Sequence, residues 1–350
     1  MKRTDNLKQA VQKQGKPTNF VIFNQTNLTY FTNFSGATAL LIPEQGESIL
    51  YVSGVNYEQA KAEAKGLTVE LVKRGENLME KIAKQASNKK FSVDALPVES
   101  WRALAKAVGG EEKLESISGI IRELRSVKDA EEIKLIREAC RLATIGMQTA
   151  KEIMWLGTKE KDAAAEIEYA MRKAGSDGVA FETIVASGPT SAYPHGSNLE
   201  RTIQDGDFVI VDIGATHKFY RSDITRTFIA SKATYHQAVI YDAVKLAHEK
   251  ALEAINPQVA ACEVDRAARC VIEEAGFGEF FVHNLGHGVG LEVHEAPILS
   301  PDSKDTLAIG NVITDEPGIY VPGLGGVRIE DTILVTKNGA EVLTSGPCMP

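Results

Sequence analysis

Phe208-Val209-Ile210-Val211-Asp212-Ile213-Gly214 is a run of apolar, mostly β-branched residues with a single carboxylate set inside it. Consecutive apolar positions fill both faces of a strand, so the run predicts a strand buried on both sides. A lone ionised carboxylate there costs on the order of several kcal/mol. Asp212 therefore calls for a cation. Glu330 poses the same problem in Val327-Arg328-Ile329-Glu330-Asp331-Thr332-Ile333-Leu334-Val335. Asp223, Glu316 and His287 also lie in apolar or glycine-rich stretches. Four carboxylates and one imidazole make an oxygen-dominated set that suits a dinuclear divalent-metal site better than a structural zinc.

Outward from Asp212, the segment 213–222 reads as a polar turn and 223–230 as a returning strand, which places Asp212 and Asp223 side by side on a hairpin. Alternation puts Asp223, Thr225 and Thr227 on one face and Ile224 and Phe228 on the other. Glu316 stands where the strand Val312-Ile313-Thr314-Asp315 meets Pro317-Gly318. Arg328 and Glu330 share a strand face, so the guanidinium is expected to accompany the carboxylate. His287 sits in Asn284-Leu285-Gly286-His287-Gly288-Val289-Gly290, a spacing that is not Gly-x-Gly-x-x-Gly. The glycines there are expected to let backbone crowd a metal. His283 and His294 flank it, and His195 follows Tyr193-Pro194. His217, His236 and His248 read as polar or helix-surface residues without a role. A Gly-x-Ser-x-Gly elbow, a His-Glu-x-x-His helix and a Gly-x-x-x-x-Gly-Lys-Ser/Thr loop are all missing.

Before this region the pattern changes. Strands are expected at 19–23, 38–42 and 48–52, and helices at 57–64 and 101–108, the last ended by Gly109-Gly110. From Asp129 a long helical pattern begins, with Ile133, Ile136, Ala139, Cys140 and Ala143 on one face. Helical stretches at 129–155 and 159–174 precede the strands of Asp212 and Asp223. Helical stretches at 233–255 and 263–275 precede His287 and the strands of Glu316 and Glu330. The order helix, helix, acidic strands thus occurs twice. At 350 residues the chain is long enough for two domains, and the reading is an α/β (α+β) protein with domains 1–125 and 126–350.

Composition is that of an ordinary globular chain, 43% hydrophobic and 25% charged. A net charge of -8 without a Lys/Arg block argues against nucleic-acid binding. No apolar run approaches the roughly 18 residues of a membrane helix, and the first residues lead into no signal-like segment. Cys140, Cys262, Cys270 and Cys348 are scattered without a Cys-x-x-Cys pair. A cytoplasmic location with reduced thiols is expected.

The order Asp-Ile-Gly (212–214), Ser-Asp-Ile-Thr-Arg-Thr (222–227), Gly-His-Gly-Val-Gly-Leu-Glu-Val-His-Glu (286–295), Glu-Pro-Gly-Ile-Tyr (316–320) and Gly-Gly-Val-Arg-Ile-Glu-Asp-Thr (325–332) strongly resembles the pita-bread metallopeptidases. Within them it resembles the Xaa-Pro branch, prolidase and aminopeptidase P. The likeness is specific over 181–336, and 27–36 is similar to the creatinase-like amino-terminal domain, which methionine aminopeptidases typically lack.

The resemblance implies a small creatinase-like domain followed by a pita-bread catalytic domain. It implies that Asp212 holds one divalent ion, that His287 and Glu316 hold another, and that Asp223 and Glu330 bridge them. The ions expected are manganese or cobalt, with zinc or iron as alternatives. His195 and His294 match positions that contact substrate or the tetrahedral intermediate, as does Arg328; His283 matches a further active-site histidine. The implied reaction is hydrolysis of the bond before proline in a small peptide, in a homodimeric enzyme. His294 would stabilise the oxyanion, Glu316 carry a proton to the leaving nitrogen and His195 orient the substrate. Aminopeptidase P activity is the alternative. A metal-free amidinohydrolase and a non-catalytic binding protein are disfavoured because all five ligands are kept. Three positions depart from the pattern: Tyr193 where leucine is common, Asp315 where an uncharged residue is usual, and Ile298 where many prolidases carry an arginine for the substrate carboxylate. Alternation points Asp315 away from Glu316.

Overall fold

The computed structural model describes residues 3–85, 90–154, 156–196 and 200–347. Cys348 and the last residue of the helical stretch 129–155 lie outside them. The chain divides into two compact units, Met1–Arg125 and Ser126–Pro350.

The first unit is built on a six-stranded mixed sheet in the order Thr68–Val72, Ile49–Ser53, Ala37–Ile42, Phe20–Ile22, Phe91–Val93, Leu114–Ser116. Strand alternation sends Phe20, Ile22, Leu40 and Leu50 to one face, where they meet Leu7, Val11, Leu28 and Ile121. Val21, Leu41, Tyr51 and Val93 fill the other face with Ile82 and Leu104. Both faces of the central strands are buried, so those strands are largely apolar. The helix expected at 101–108 begins earlier, spanning Val98–Val108, and ends on Gly109 at φ 94°, a left-handed cap that glycine adopts without strain.

In the second unit Asp129 caps the helix Ala130–Ile153 through a capping box with Glu132. This helix and Glu160–Lys173 pack on a three-stranded antiparallel sheet in the order Ile224–Ile229, Phe208–Ile213, Ile184–Ser187. Val209, Val211 and Ile213 face the helices with Leu142, Ala143 and Ile167. Phe208 joins the other core, which leaves Asp212 on the face turned away from this helix pair. A second helix pair, Tyr235–Ala254 and Ala261–Glu274, packs with a five-stranded sheet: Glu295–Leu299, Gly286–Gly288, Val312–Asp315, Asp331–Thr336, Gly339–Val342. Two helices followed by strands thus occur twice. A two-stranded ribbon, Gly318–Val321 with Gly325–Arg328, stands beside it, and a bridge between Thr225 and Glu330 joins the two strand systems.

The link between Asp212 and Asp223 is not the single turn expected. Ala215–His217 and Tyr220–Arg221 form their own small hairpin and pair with Gly178–Val179. Its turn places Lys218 and Phe219 at positive φ, 45° and 75°, where Asn-Gly or Asp-Gly is usual, so the sequence carries no turn signal there.

Candidate metal centre

The register of the central hairpin sets Thr225 opposite Asp212, so Asp223 lies one step diagonally from Asp212 on the same face. Asp212 and Asp223 are buried, as are His287 and Glu330. Asp223, His287 and Glu330 each present a ligand atom within 4.8 Å of one another. His287 Nε2 lies 3.3 Å from Glu316 Oε1 and 3.9 Å from Asp223 Oδ2, while Nδ1 lies 3.1 Å from the Gly288 carbonyl. That carbonyl contact fixes the ring with Nε2 toward the carboxylates, the orientation a metal-ligating imidazole needs. Glu330 Oε2 accepts from Thr225 Oγ1 at 2.6 Å, and Asp223 N donates to Thr332 Oγ1.

Among the described residues, two buried carboxylate oxygens of the cluster, Asp212 Oδ1 and Glu330 Oε1, have no hydrogen-bond partner. Burial raises Asp223 and Glu330 well above the usual carboxylate range, and each is pushed further by the charges around it, foremost Asp212 on Asp223 and Asp223 on Glu330. Burial likewise raises Asp212, opposed by Arg328. Burial pushes His287 down, but the Glu316 hydrogen bond and charge outweigh it and hold the imidazole at about 9. Glu316 is driven to about 2 because His287 overcomes its burial. Orphaned oxygens and crowded negative charge are what a divalent cation resolves, and the donors present fit one.

Arg328 lines the same cavity as Glu330. Its Nη2 donates to Asp212 Oδ2 at 2.7 Å, its Nε to Thr225 Oγ1 at 3.1 Å, and its Nη1 to Tyr320 Oη at 2.7 Å and the Pro194 carbonyl at 3.2 Å. It enters the site but pairs with Asp212, because Glu330 sits at the bridge between two strands and turns to Thr225.

The histidines divide. The His294 ring lies 4.3 Å from that of His287 at 61°, and burial together with the His287 charge lowers its pKa. His283 Nε2 lies 2.9 Å from Tyr320 Oη and Nδ1 2.7 Å from the Asn284 carbonyl; burial lowers it too. His195 is exposed at the rim. His195, His283, His294, Arg328, Glu316, Asp212, Asp223, His287 and Glu330 all line one cavity of about 660 Å³. Its apolar wall is Phe181, Ile184, Val282, Val293 and Ile298.

Gly286 and Gly288 make room for neighbouring strands: a Cβ on either would stand 2.2 Å from the carbonyl oxygen of Thr314 or Ala296. Close strand pairing therefore requires glycine at both positions. His248 is a buried residue, not a surface one. Its Nδ1 lies 3.0 Å from Asp315 and its Nε2 3.2 Å from Asp331, and these charges outweigh burial to hold it at about 10. Asp315 thereby points away from the cluster. The signal was in the sequence: Val244, Ala247, His248 and Ala251 recur at helical spacing on the buried side. Tyr320, whose hydroxyl joins His283 to Arg328, was also missed; it carries no spacing signal of its own.

Residues 134–337 match the model of metallopeptidase family M24, and residues 3–127 that of the creatinase/prolidase N-terminal domain. The chain is 41% identical over 320 residues to the Xaa-Pro dipeptidase of Pyrococcus furiosus, 89% of each chain being covered. The prolidase structure from Pyrococcus horikoshii superposes with a TM-score of 0.91 at 38% identity over 99% of both chains. The X-Pro aminopeptidase structure from Thermotoga maritima does so at 0.89 and 34%, again over 99% of both. The α/β chain thus belongs to metallopeptidase family M24, with a pita-bread catalytic domain preceded by a creatinase/prolidase amino-terminal domain.

Proposed function

We infer that the chain is an Xaa-Pro dipeptidase, a hydrolase of the peptide bond before proline. The observation that carries the reading is the cradle of Asp223, His287 and Glu330 within 4.8 Å, open to a cavity with one apolar wall. Asp212, Asp223, His287, Glu316 and Glu330 would hold two divalent ions, manganese or cobalt by the oxygen-rich donor set, with zinc or iron as alternatives. Bound there, such ions supply a water acidified toward neutrality and positive charge beside the scissile carbonyl.

The chain's own groups do the rest. Glu316, ionised at neutral pH, accepts a proton on its carboxylate and passes it to the leaving nitrogen. His294, kept largely neutral, donates one N–H to the developing oxyanion. His195 at the rim and His283 beside Tyr320 orient the peptide. Arg328 spends four donor contacts on protein atoms, so its contribution to substrate is chiefly to hold Asp212 and Tyr320 in place. The apolar wall accepts the proline ring and the side chain before it. Residues 126–350 would carry the catalysis and 1–125 the creatinase-like domain, in a cytoplasmic homodimer.

Aminopeptidase P activity is the second reading, and Ile298 favours it. A dipeptide presents its carboxylate close to the scissile bond, and the residue lining the cavity at this point is uncharged. His195 and His294 remain to meet that carboxylate. Comparison of kcat/KM on Leu-Pro and Leu-Pro-Pro decides: a higher value for Leu-Pro supports the dipeptidase, and clear preference for the tripeptide makes the enzyme an aminopeptidase P.

A further inference from the structure

Behind the cradle lies a second, wholly buried set of charges that the proposed reaction does not touch. The antiparallel strands Val312–Asp315 and Asp331–Thr336 pair Asp315 directly with Asp331. Each of these residues is adjacent in sequence to a carboxylate of the cradle, Asp315 to Glu316 and Asp331 to Glu330. Two carboxylates directly opposite on paired strands repel, and burial strengthens the repulsion. Asp331 is well served: Arg226 Nη2 reaches both its oxygens at 2.9 and 3.1 Å, and Thr344 Oγ1 donates at 2.7 Å. Asp315 is fully buried. The cation that faces it is His248, Nδ1 at 3.0 Å, and the opposite ring nitrogen reaches Asp331 at 3.2 Å. An imidazole with a carboxylate against each nitrogen is held in its charged form.

We propose that His248 is a positioning residue: from the helix Tyr235–Ala254 its ring clamps Asp315 to Asp331, and so fixes the separation of the neighbouring Glu316 and Glu330. The inference rests on the assignment of those two glutamates as metal ligands and adds a residue on the far side of the strand pair. Without the ring, Asp315 and Asp331 lose the group that bridges them, the strand ends move apart, and the two glutamates no longer converge.

Titration of the metal-free full-length protein with manganese(II) by calorimetry tests this. His248→Ala should raise the Kd for manganese roughly 10- to 100-fold, the scale at which partners behind metal ligands act. Adding Asp315→Asn to it removes the repulsion and should restore the Kd to within about threefold of the parent, while Asp315→Asn alone stays near the parent. Loss of packing alone would not be repaired by neutralising Asp315, so weakened binding without rescue overturns the proposal. Unchanged affinity in His248→Ala also overturns it. If His248→Ala does not fold, His248→Gln, which keeps most of the volume without the charge, is read by the same criteria. Glu330→Ala in the same series separates the two levels. A parent that binds manganese as well as Glu330→Ala refutes the ligand assignment and with it this inference, whereas loss in Glu330→Ala with none in the His248 variants refutes the clamp alone.

Discussion

Replacing Arg328 with methionine should destabilise the metal-free protein far more than the manganese-loaded one. The guanidinium is buried and makes hydrogen bonds to Asp212, Thr225, Tyr320 and Pro194. Methionine keeps the stem's volume but leaves Asp212 ionised, buried and without its cation. Breaking one side of a buried ion pair costs about 3–5 kcal/mol. For a unit of this size that corresponds to a fall in Tm of roughly 6–20 °C, taking about 2–4 °C per kcal/mol. Manganese supplies charge to Asp212 by another route, so the gain in Tm on adding it should be larger in the variant than in the parent. Differential scanning calorimetry of both proteins, with chelator and with saturating manganese, measures the four values needed. A metal-free variant melting within about 2 °C of the parent would mean that Asp212 is protonated when no ion is present, and the reasoning fails.

Three further outcomes are expected. Asp223→Ala or Glu330→Ala should abolish turnover and remove bound metal, read by elemental analysis; full activity without any divalent metal in the parent would sink the cradle. His294→Ala should lower kcat by roughly 100-fold or more with metal content retained, the scale of losing one oxyanion donor; loss of metal instead would make it a ligand. Metal binding should release protons. His287 is held at about 9, above its usual 6.5, so in the metal-free state its proton is present at pH 7 and leaves only as pH rises through about 9. Asp223 and Glu330, also raised, hold protons above the usual carboxylate range. Apparent affinity should therefore climb between about pH 6.5 and 9, with calorimetry in buffers of different ionisation enthalpy reporting at least about one proton lost at pH 7; a flat profile contradicts the His287–Glu316 pair.

Legibility in the sequence followed burial and alternation. The run 208–213 declared a strand apolar on both faces, and all six positions are buried. The misplaced charges pointed to the cradle where Asp223, His287 and Glu330 converge, although Asp315 and Asp331 show that a buried strand carboxylate can also be held by His248 and Arg226. What escaped depended on contacts distant in sequence. The pairing of Ala215–His217 with Gly178–Val179 could not be read locally. Nor could the turn of Arg328 toward Asp212, because a shared strand face says which residues point together but not which atoms meet. His248 was misread for a different reason: as an ionisable residue it was assigned to the surface, although its place on the apolar stripe said otherwise.

The bridge between Thr225 and Glu330 has a consequence for how the protein is made. It joins segments 105 positions apart and brings Glu330 to Asp223. At synthesis rates of about 5–20 residues per second, the two sides of the cradle leave the ribosome on the order of ten seconds apart. During that interval the hairpin of Asp212 and Asp223 can form, but the complete site proposed for the ions cannot. On the proposed ligand set, ion capture would then belong to the end of folding, when the whole catalytic unit has closed, and the ion acquired would reflect the pool the finished protein meets.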